Sequence, residues 1–213
     1  MQCLLDQFST VADAVKWLET SCVQLIEMKI GGKAGTGHIS RADPSGNSAI
    51  IEFLDGETSV HEGTQYTVMA NEPPYEKQLE IQQEYPAYGG DKELPGGIES
   101  LDRFARAAYY SALLPQAEDM RTATAYVFSV IRNASAPFGA PDDPTKPNIS
   151  PTRWRTVSDC TEKRYFFEST TSPNVVWVEL GQLDFGKGNG ELVLDLVNEP
   201  DRVGDVTSQF VPV

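Results

Sequence analysis

The sequence predicts a mixed α+β fold, with helices packed on antiparallel sheet, and three observations carry that expectation. Helical and strand-like hydrophobic patterns come in blocks, in the order helix, strands, helices, strands, then a helix-poor tail. Asp55-Gly56 between two strand-like runs is a two-residue hairpin signal, which makes neighbouring strands antiparallel. Five prolines, at 137, 141, 144, 147 and 151, impose an irregular loop between the helical block and the second run of strands.

The elements follow in order. Thr10 is set to cap a helix over 10–20, with Asp13 three residues on. Val11, Ala14, Val15 and Leu18 give that helix one apolar face. Residues 23–30 read as a strand, and the glycine-rich 31–37 as a loop. Strands follow at 38–42, 48–54, 58–61 and 66–70, a meander of about five. The 48–54 run is nearly all apolar, as in a strand buried on both faces. Pro44-Ser45-Gly46-Asn47 reads as a turn. Helices are expected at 76–83, 98–113 and 117–132, the last burying Met120, Ala123, Val127, Val130 and Ile131. Strands return at 152–158, 164–168 and 175–180, with a further one at 191–196.

Composition narrows the function. The 213 residues carry 17 Lys and Arg against 31 Asp and Glu, a formal charge of −14. That balance argues against a nucleic-acid partner, which needs a basic footprint, and against an anionic membrane surface. No apolar run is long enough to span a bilayer. A chain of this length buries about 70% of its unfolded surface and needs no metal or disulfide staple. Cys3, Cys22 and Cys160 are widely spaced, without a zinc-like cluster. His38 and His61 read as solvated strand-end residues. The 31–37 glycine run lacks the terminal Gly-Lys-Ser/Thr of a phosphate loop, so it reads as a hairpin connection.

Two places invite chemistry. Asn71 ends the apolar run Tyr66-Thr67-Val68-Met69-Ala70, where an amide can donate to a developing oxyanion or simply form a turn. Leu94-Pro95-Gly96-Gly97 leads into a helix that carries Arg103 in its first turns, against the helix dipole. Such an arginine is either solvated and ion-paired or placed for a local role.

Together these segments resemble the choloylglycine hydrolase family, the linear-amide C–N hydrolases that include bile salt hydrolases and penicillin V acylases. The matching pieces are Tyr66 to Pro73, Leu94 to Phe104, Thr152-Arg153-Trp154-Arg155-Thr156-Val157-Ser158-Asp159 and Arg164-Tyr165-Phe166-Phe167-Glu168. The likeness runs from about residue 4 to about residue 185, and the short 84–93 connection suits the Gram-negative branch. The resemblance implies an N-terminal-nucleophile hydrolase with an αββα sandwich. It implies a cysteine nucleophile whose own α-amino group is the base, and no cofactor or metal. Asn71 matches the family's oxyanion-hole asparagine and Arg103 its active-site arginine. The substrate it implies is a small amide with an apolar acyl group: a bile-salt conjugate, penicillin V or an N-acyl homoserine lactone. It admits a homo-oligomer of the complete protein and a bacterial periplasm or cytoplasm.

The sequence departs from the family at the nucleophile. Cys3 is followed by a helix, and no arginine precedes Arg41. Residues 1–213 are therefore expected to be the C-terminal portion of a single such domain, with the front portion absent and the chain inactive alone. The alternative is a catalytically dead module that binds acyl ligands.

Overall fold

The fold is α+β. The computed structural model describes residues 2–21, 23, 28–30, 33–35, 37–139, 151–186 and 188–213, and of 28–30 and 33–35 the backbone only. The described residues divide into two compact units, one within 2–114 and the other made of 115–139 with those of 151–213.

In the first unit, α1 (Gln2–Gln7) and α2 (Val11–Thr20) cover one face of a sheet. Thr10 caps α2 as its sequence predicts, its hydroxyl accepting the Asp13 N–H at 3.1 Å. Asp43, from the sheet side, accepts the Val11 N–H at 2.7 Å. Arg41 closes the other helix, its Nη1 donating to the Leu4 carbonyl at 2.7 Å and its Nη2 to that of Phe8.

The sheet is β3 (His38–Ala42), β4 (Ser48–Leu54) and β5 (Glu57–Glu62), antiparallel in that order. Asp55 (φ 52°) and Gly56 (φ 84°) turn β4 into β5, the left-handed pair that a tight hairpin requires. β4 is buried through its first five residues, as expected of a two-faced strand. Ala49 and Ile51 face α1 and α2. Ile50 faces the opposite way, onto α3 (Tyr75–Gln82) and α4 (Ser100–Ala112), with Ala70, Tyr75, Phe104 and Ala108. The unit is thus three layers, helix–sheet–helix.

The expected five-stranded meander is corrected here. β1 (Met28–Ile30) and β2 (Lys33–Gly35) form a separate two-stranded ladder, so part of the supposed 31–37 loop is strand. Residues 24–27 lie outside the described residues. Among the described residues, the 66–70 segment belongs to no ladder. Side chains meet its backbone instead: Ser48 Oγ donates to the Tyr66 carbonyl at 2.8 Å, and the Gln78 amide engages Ala70.

In the second unit, β6 (Trp154–Asp159), β7 (Arg164–Ser169) and β8 (Val175–Glu179) form an antiparallel meander, and β10 (Gly204–Asp205) adds parallel to β8. A separate pair joins β9 (Leu192–Val193) to β11 (Val211–Pro212). Val176, Val178 and Phe167 pack with tail residues Leu183, Leu194, Leu196 and Phe210. On β7 and β8, Phe166 and Trp177 are paired in register with ring centroids 5.8 Å apart. Phe166 meets Phe128 of α5 (Met120–Asn133) edge-on, centroids 6.3 Å apart. The buried side of α5 is Thr124, Phe128 and Val130. The expected core residue Val127 is 40% exposed, because the bulkier neighbouring Phe128 takes the interior. Most of the proline-rich loop, 140–150, lies outside the described residues.

Candidate functional site

The two residues singled out in the sequence meet in the first unit. α4 begins after the Leu94-Pro95-Gly96-Gly97 turn, which Arg106 fastens from inside the helix. Arg106 is 9% exposed, and its Nη1 donates to the carbonyls of Pro95 at 3.0 Å and Gly97 at 2.6 Å. Arg103, one turn earlier, donates Nε–H to the Ile98 carbonyl at 3.1 Å and Nη2–H to Asn71 Oδ1 at 2.9 Å. Those two acceptors offset the unfavourable end of the helix dipole. Burial, and then the positive charge of Arg106, hold the Arg103 pKa below its ordinary value.

This geometry fixes the Asn71 amide. A guanidinium has only donors, so the atom facing Arg103 must be the carbonyl oxygen. The Nδ2 group is then directed to the other side of the amide, and Asn71 is exposed. Binding a cation at Oδ1 polarises the amide and strengthens Nδ2–H as a donor. The pair therefore presents a preorganised N–H donor backed by a fixed positive charge, the chemistry that stabilises a developing oxyanion.

Cys3 is not part of this arrangement. It is exposed on α1, where Gln7 Nε2 donates to its sulfur at 2.8 Å, and the buried side of α1 packs on the sheet face opposite Ile50. Cys160 sits in the turn between β6 and β7, in the second unit. Cys22 lies outside the described residues. No group of three or more His, Cys, Asp or Glu able to hold a metal occurs among the described residues, and no helix among them is long and apolar enough to cross a membrane.

The histidines correct the sequence reading, since neither is a solvated strand end. The His38 side chain is 16% exposed, with Nδ1 3.3 Å from Glu52 Oε1. The His61 ring packs edge-on against Tyr66 and Tyr75, at centroid distances of 5.4 and 5.1 Å. Glu52 itself is 1% exposed, and its Oε2 accepts the Tyr75 N–H at 2.8 Å. Sequence reading also missed Ser100, whose Oγ accepts the Glu72 N–H at 2.9 Å, along with Arg106 and Gln78. For Gln78 a signal exists: it is polar yet stands one turn from Tyr75, on the face of α3 that turns inward. Within the second unit, a hollow of about 610 Å³ lies between α5 and the sheet, lined by Phe128, Phe166, Val175, Trp177, Arg164 and Glu179 among others.

Comparison with known proteins gives one family. Residues 1–197 match the profile of the linear amide C–N hydrolases, choloylglycine hydrolase family. Penicillin V acylase from Pectobacterium atrosepticum is 38% identical over 228 residues, covering 99% of this chain and 60% of that protein. Penicillin V acylase from Agrobacterium tumefaciens superposes with a TM-score of 0.83 at 40% identity, over 100% of this chain and 65% of that one. Conjugated bile acid hydrolase from Clostridium perfringens shares the fold at a TM-score of 0.65 and 14% identity, over 84% of this chain and 60% of its own. The chain thus spans less than two thirds of the length of these relatives.

Proposed function

The chain belongs to the choloylglycine hydrolase family, and from that membership we propose that it supplies the oxyanion-stabilising part of a site that hydrolyses linear amides with an apolar acyl group. The observation that carries this is the 2.9 Å bond from Arg103 Nη2 to Asn71 Oδ1, which leaves the Asn71 N–H groups for the substrate oxygen. In the reaction a cysteine thiolate adds to the amide carbonyl. The carbonyl electron pair moves onto oxygen, where Asn71 Nδ2–H receives it. The C–N bond then breaks, the amine departs with the proton that the thiol gave up to the cysteine's own α-amino group, and water, losing a proton to that same α-amino group, releases the acid and restores the thiol.

The nucleophile is not Cys3, which rides on the helix layer across the sheet from Asn71, nor Cys160, which lies mid-chain and has no free α-amino group to serve as its base. The 213 residues, as the C-terminal portion of an N-terminal-nucleophile domain, are inactive by themselves. Penicillin V is the favoured substrate, since identity is 38% and 40% to penicillin V acylases against 14% to the bile acid hydrolase. Bile-salt conjugates and N-acyl homoserine lactones are the comparison arms.

The test uses the purified 213-residue chain and the protein recovered from its source with an antibody to that chain. Release of 6-aminopenicillanic acid is expected from the recovered protein and not from the chain alone. Asn71→Ala should lower kcat by about 10²–10³-fold with little change in KM, as loss of an oxyanion donor does. Turnover by the chain alone would overturn the assignment of the nucleophile. An unchanged kcat in Asn71→Ala would overturn the oxyanion role.

A further inference from the structure

We propose that Gln78 is the positioning residue that aims Asn71, an inference that rests on the oxyanion reading above. Gln78 is 0% exposed, in the middle of α3. Its side chain reaches back eight residues to a stretch of chain that has no strand partner among the described residues. Oε1 accepts the Ala70 N–H at 2.9 Å, while Nε2 donates to the Ala70 carbonyl at 3.1 Å and to the Pro73 carbonyl at 2.6 Å. A primary amide offers one carbonyl oxygen and two N–H bonds, and every one of them is engaged with backbone.

The two bonds to Ala70 reproduce the paired N–H and C=O exchange between neighbouring antiparallel strands. Gln78 therefore acts as a strand one residue long, next to the residue that precedes Asn71. Its third bond fixes Pro73, and Ser100 Oγ holds the Glu72 N–H between them. The backbone is thus tied at Ala70, Glu72 and Pro73, and Asn71 is the residue left to project, toward Arg103. A methionine would fill the same space. An amide buried this deeply is costly unless it is hydrogen-bonded, so these three bonds are what the glutamine contributes beyond volume.

A donor displaced by about 1 Å loses rate on the order of 10²-fold without losing the substrate. Gln78→Met, in the protein recovered from its source, should therefore lower kcat by about 10–100-fold with KM within about twofold. In the ¹⁵N-labelled chain, the same change should shift and broaden the Asn71 side-chain NH₂ signals. Gln78→Glu keeps the acceptor and loses both donors. Its kcat should recover in part as pH falls, because a protonated carboxyl regains one donor.

The proposal is overturned if Gln78→Met lowers the melting temperature while the Asn71 signals and kcat stay put, for then Gln78 only packs. It is also overturned if the Ala70 N–H of the unmodified chain exchanges with solvent as fast as an exposed amide. That measurement stands even if neither variant folds. A failure of the oxyanion reading is separately visible: Asn71→Ala would leave kcat unchanged while Gln78→Met still moved the Asn71 signals.

Discussion

Replacing Glu52 by alanine should unlatch α3. Glu52 lies on β4, 1% exposed, and its carboxylate accepts the N–H of Tyr75, the first residue of the helix. Pro74, at the N-cap, makes no side-chain capping bond, so Glu52 caps α3 from a neighbouring strand. A hydrogen bond to a charged acceptor contributes about 1.5–3 kcal/mol, and the favourable position at a helix N-terminus places this one near the top of that range. Glu52→Ala should therefore cost about 3 kcal/mol, against about 5–15 kcal/mol for a whole domain. Glu52→Gln keeps an uncharged acceptor and should cost about 1 kcal/mol. For a chain of this size, 1 kcal/mol is about 2–4 °C, so the alanine variant should melt roughly 6–12 °C lower. Urea unfolding gives the free energies. Amide exchange shows whether the loss sits in 75–82 rather than in the second unit. A cost below about 1 kcal/mol for Glu52→Ala, or equal costs for the two variants, would refute the capping argument.

Three further outcomes are expected. Glu168, 7% exposed, takes bonds from Arg132 Nη2 at 2.9 Å and Arg155 Nη1 at 3.1 Å. Glu168→Ala removes the carboxylate that both cations share and should cost about 3 kcal/mol, the low end for a buried pair because Arg132 is half exposed and Arg155 keeps its bond to Ser135, read from urea unfolding followed by tryptophan fluorescence. At Gly90 a Cβ would stand 2.0 Å from the Glu84 carbonyl oxygen, so Gly90→Ala should destabilise by about 2 kcal/mol or more in a thermal melt. Gly96→Ala, with nothing within 4 Å of its Cβ, is the control and should change stability by less than about 0.5 kcal/mol. Burial, with the neighbouring Tyr66, Tyr88 and Glu52, pushes the Tyr75 phenol up to about 12. The unfolded chain releases that proton near 10, so this contribution is complete below pH 10 and falls away between about 10 and 12, by up to about 1.4 kcal/mol per pH unit. Tyr75→Phe should flatten unfolding free energy across that window.

What the sequence made legible is what local chemistry decides. Thr10 and Asp13 marked the start of α2, and Asp55-Gly56 marked the hairpin, because caps and tight turns depend on residues close in sequence. The apolar 48–54 run announced a two-faced strand for the same reason. The 66–70 run has a strand's composition, but its partners are the side chains of Ser48 and Gln78, and no local pattern announces those. On α5, Val127 and Phe128 belong to two overlapping apolar stripes, and only packing against Phe166 decides between them. His61 looked like an exposed strand end until the rings of Tyr66, just past the strand, and Tyr75, on α3, closed on it. At the candidate site, Asn71 and Arg103 are 32 positions apart, a spacing that carries no periodic signal. Each stands out by its own place, Asn71 at the end of an apolar run and Arg103 in the first turns of a helix, and family motifs add a role, but their contact came only with the fold.

The parity of β4 has a consequence for how this chain can change. Ala49 and Ile51 belong to one layer, Ile50 and Glu52 to the other. Inserting or deleting one residue within the strand would exchange the two sets. The carboxylate that caps α3 would be driven beneath α2, and an isoleucine would stand where Tyr75 needs an acceptor. Length changes in this region are therefore confined to its turns, 44–47 and 55–56, or must come in pairs. Alignments of relatives should show gaps at those turns and none across 48–52, and a designed library should vary them there.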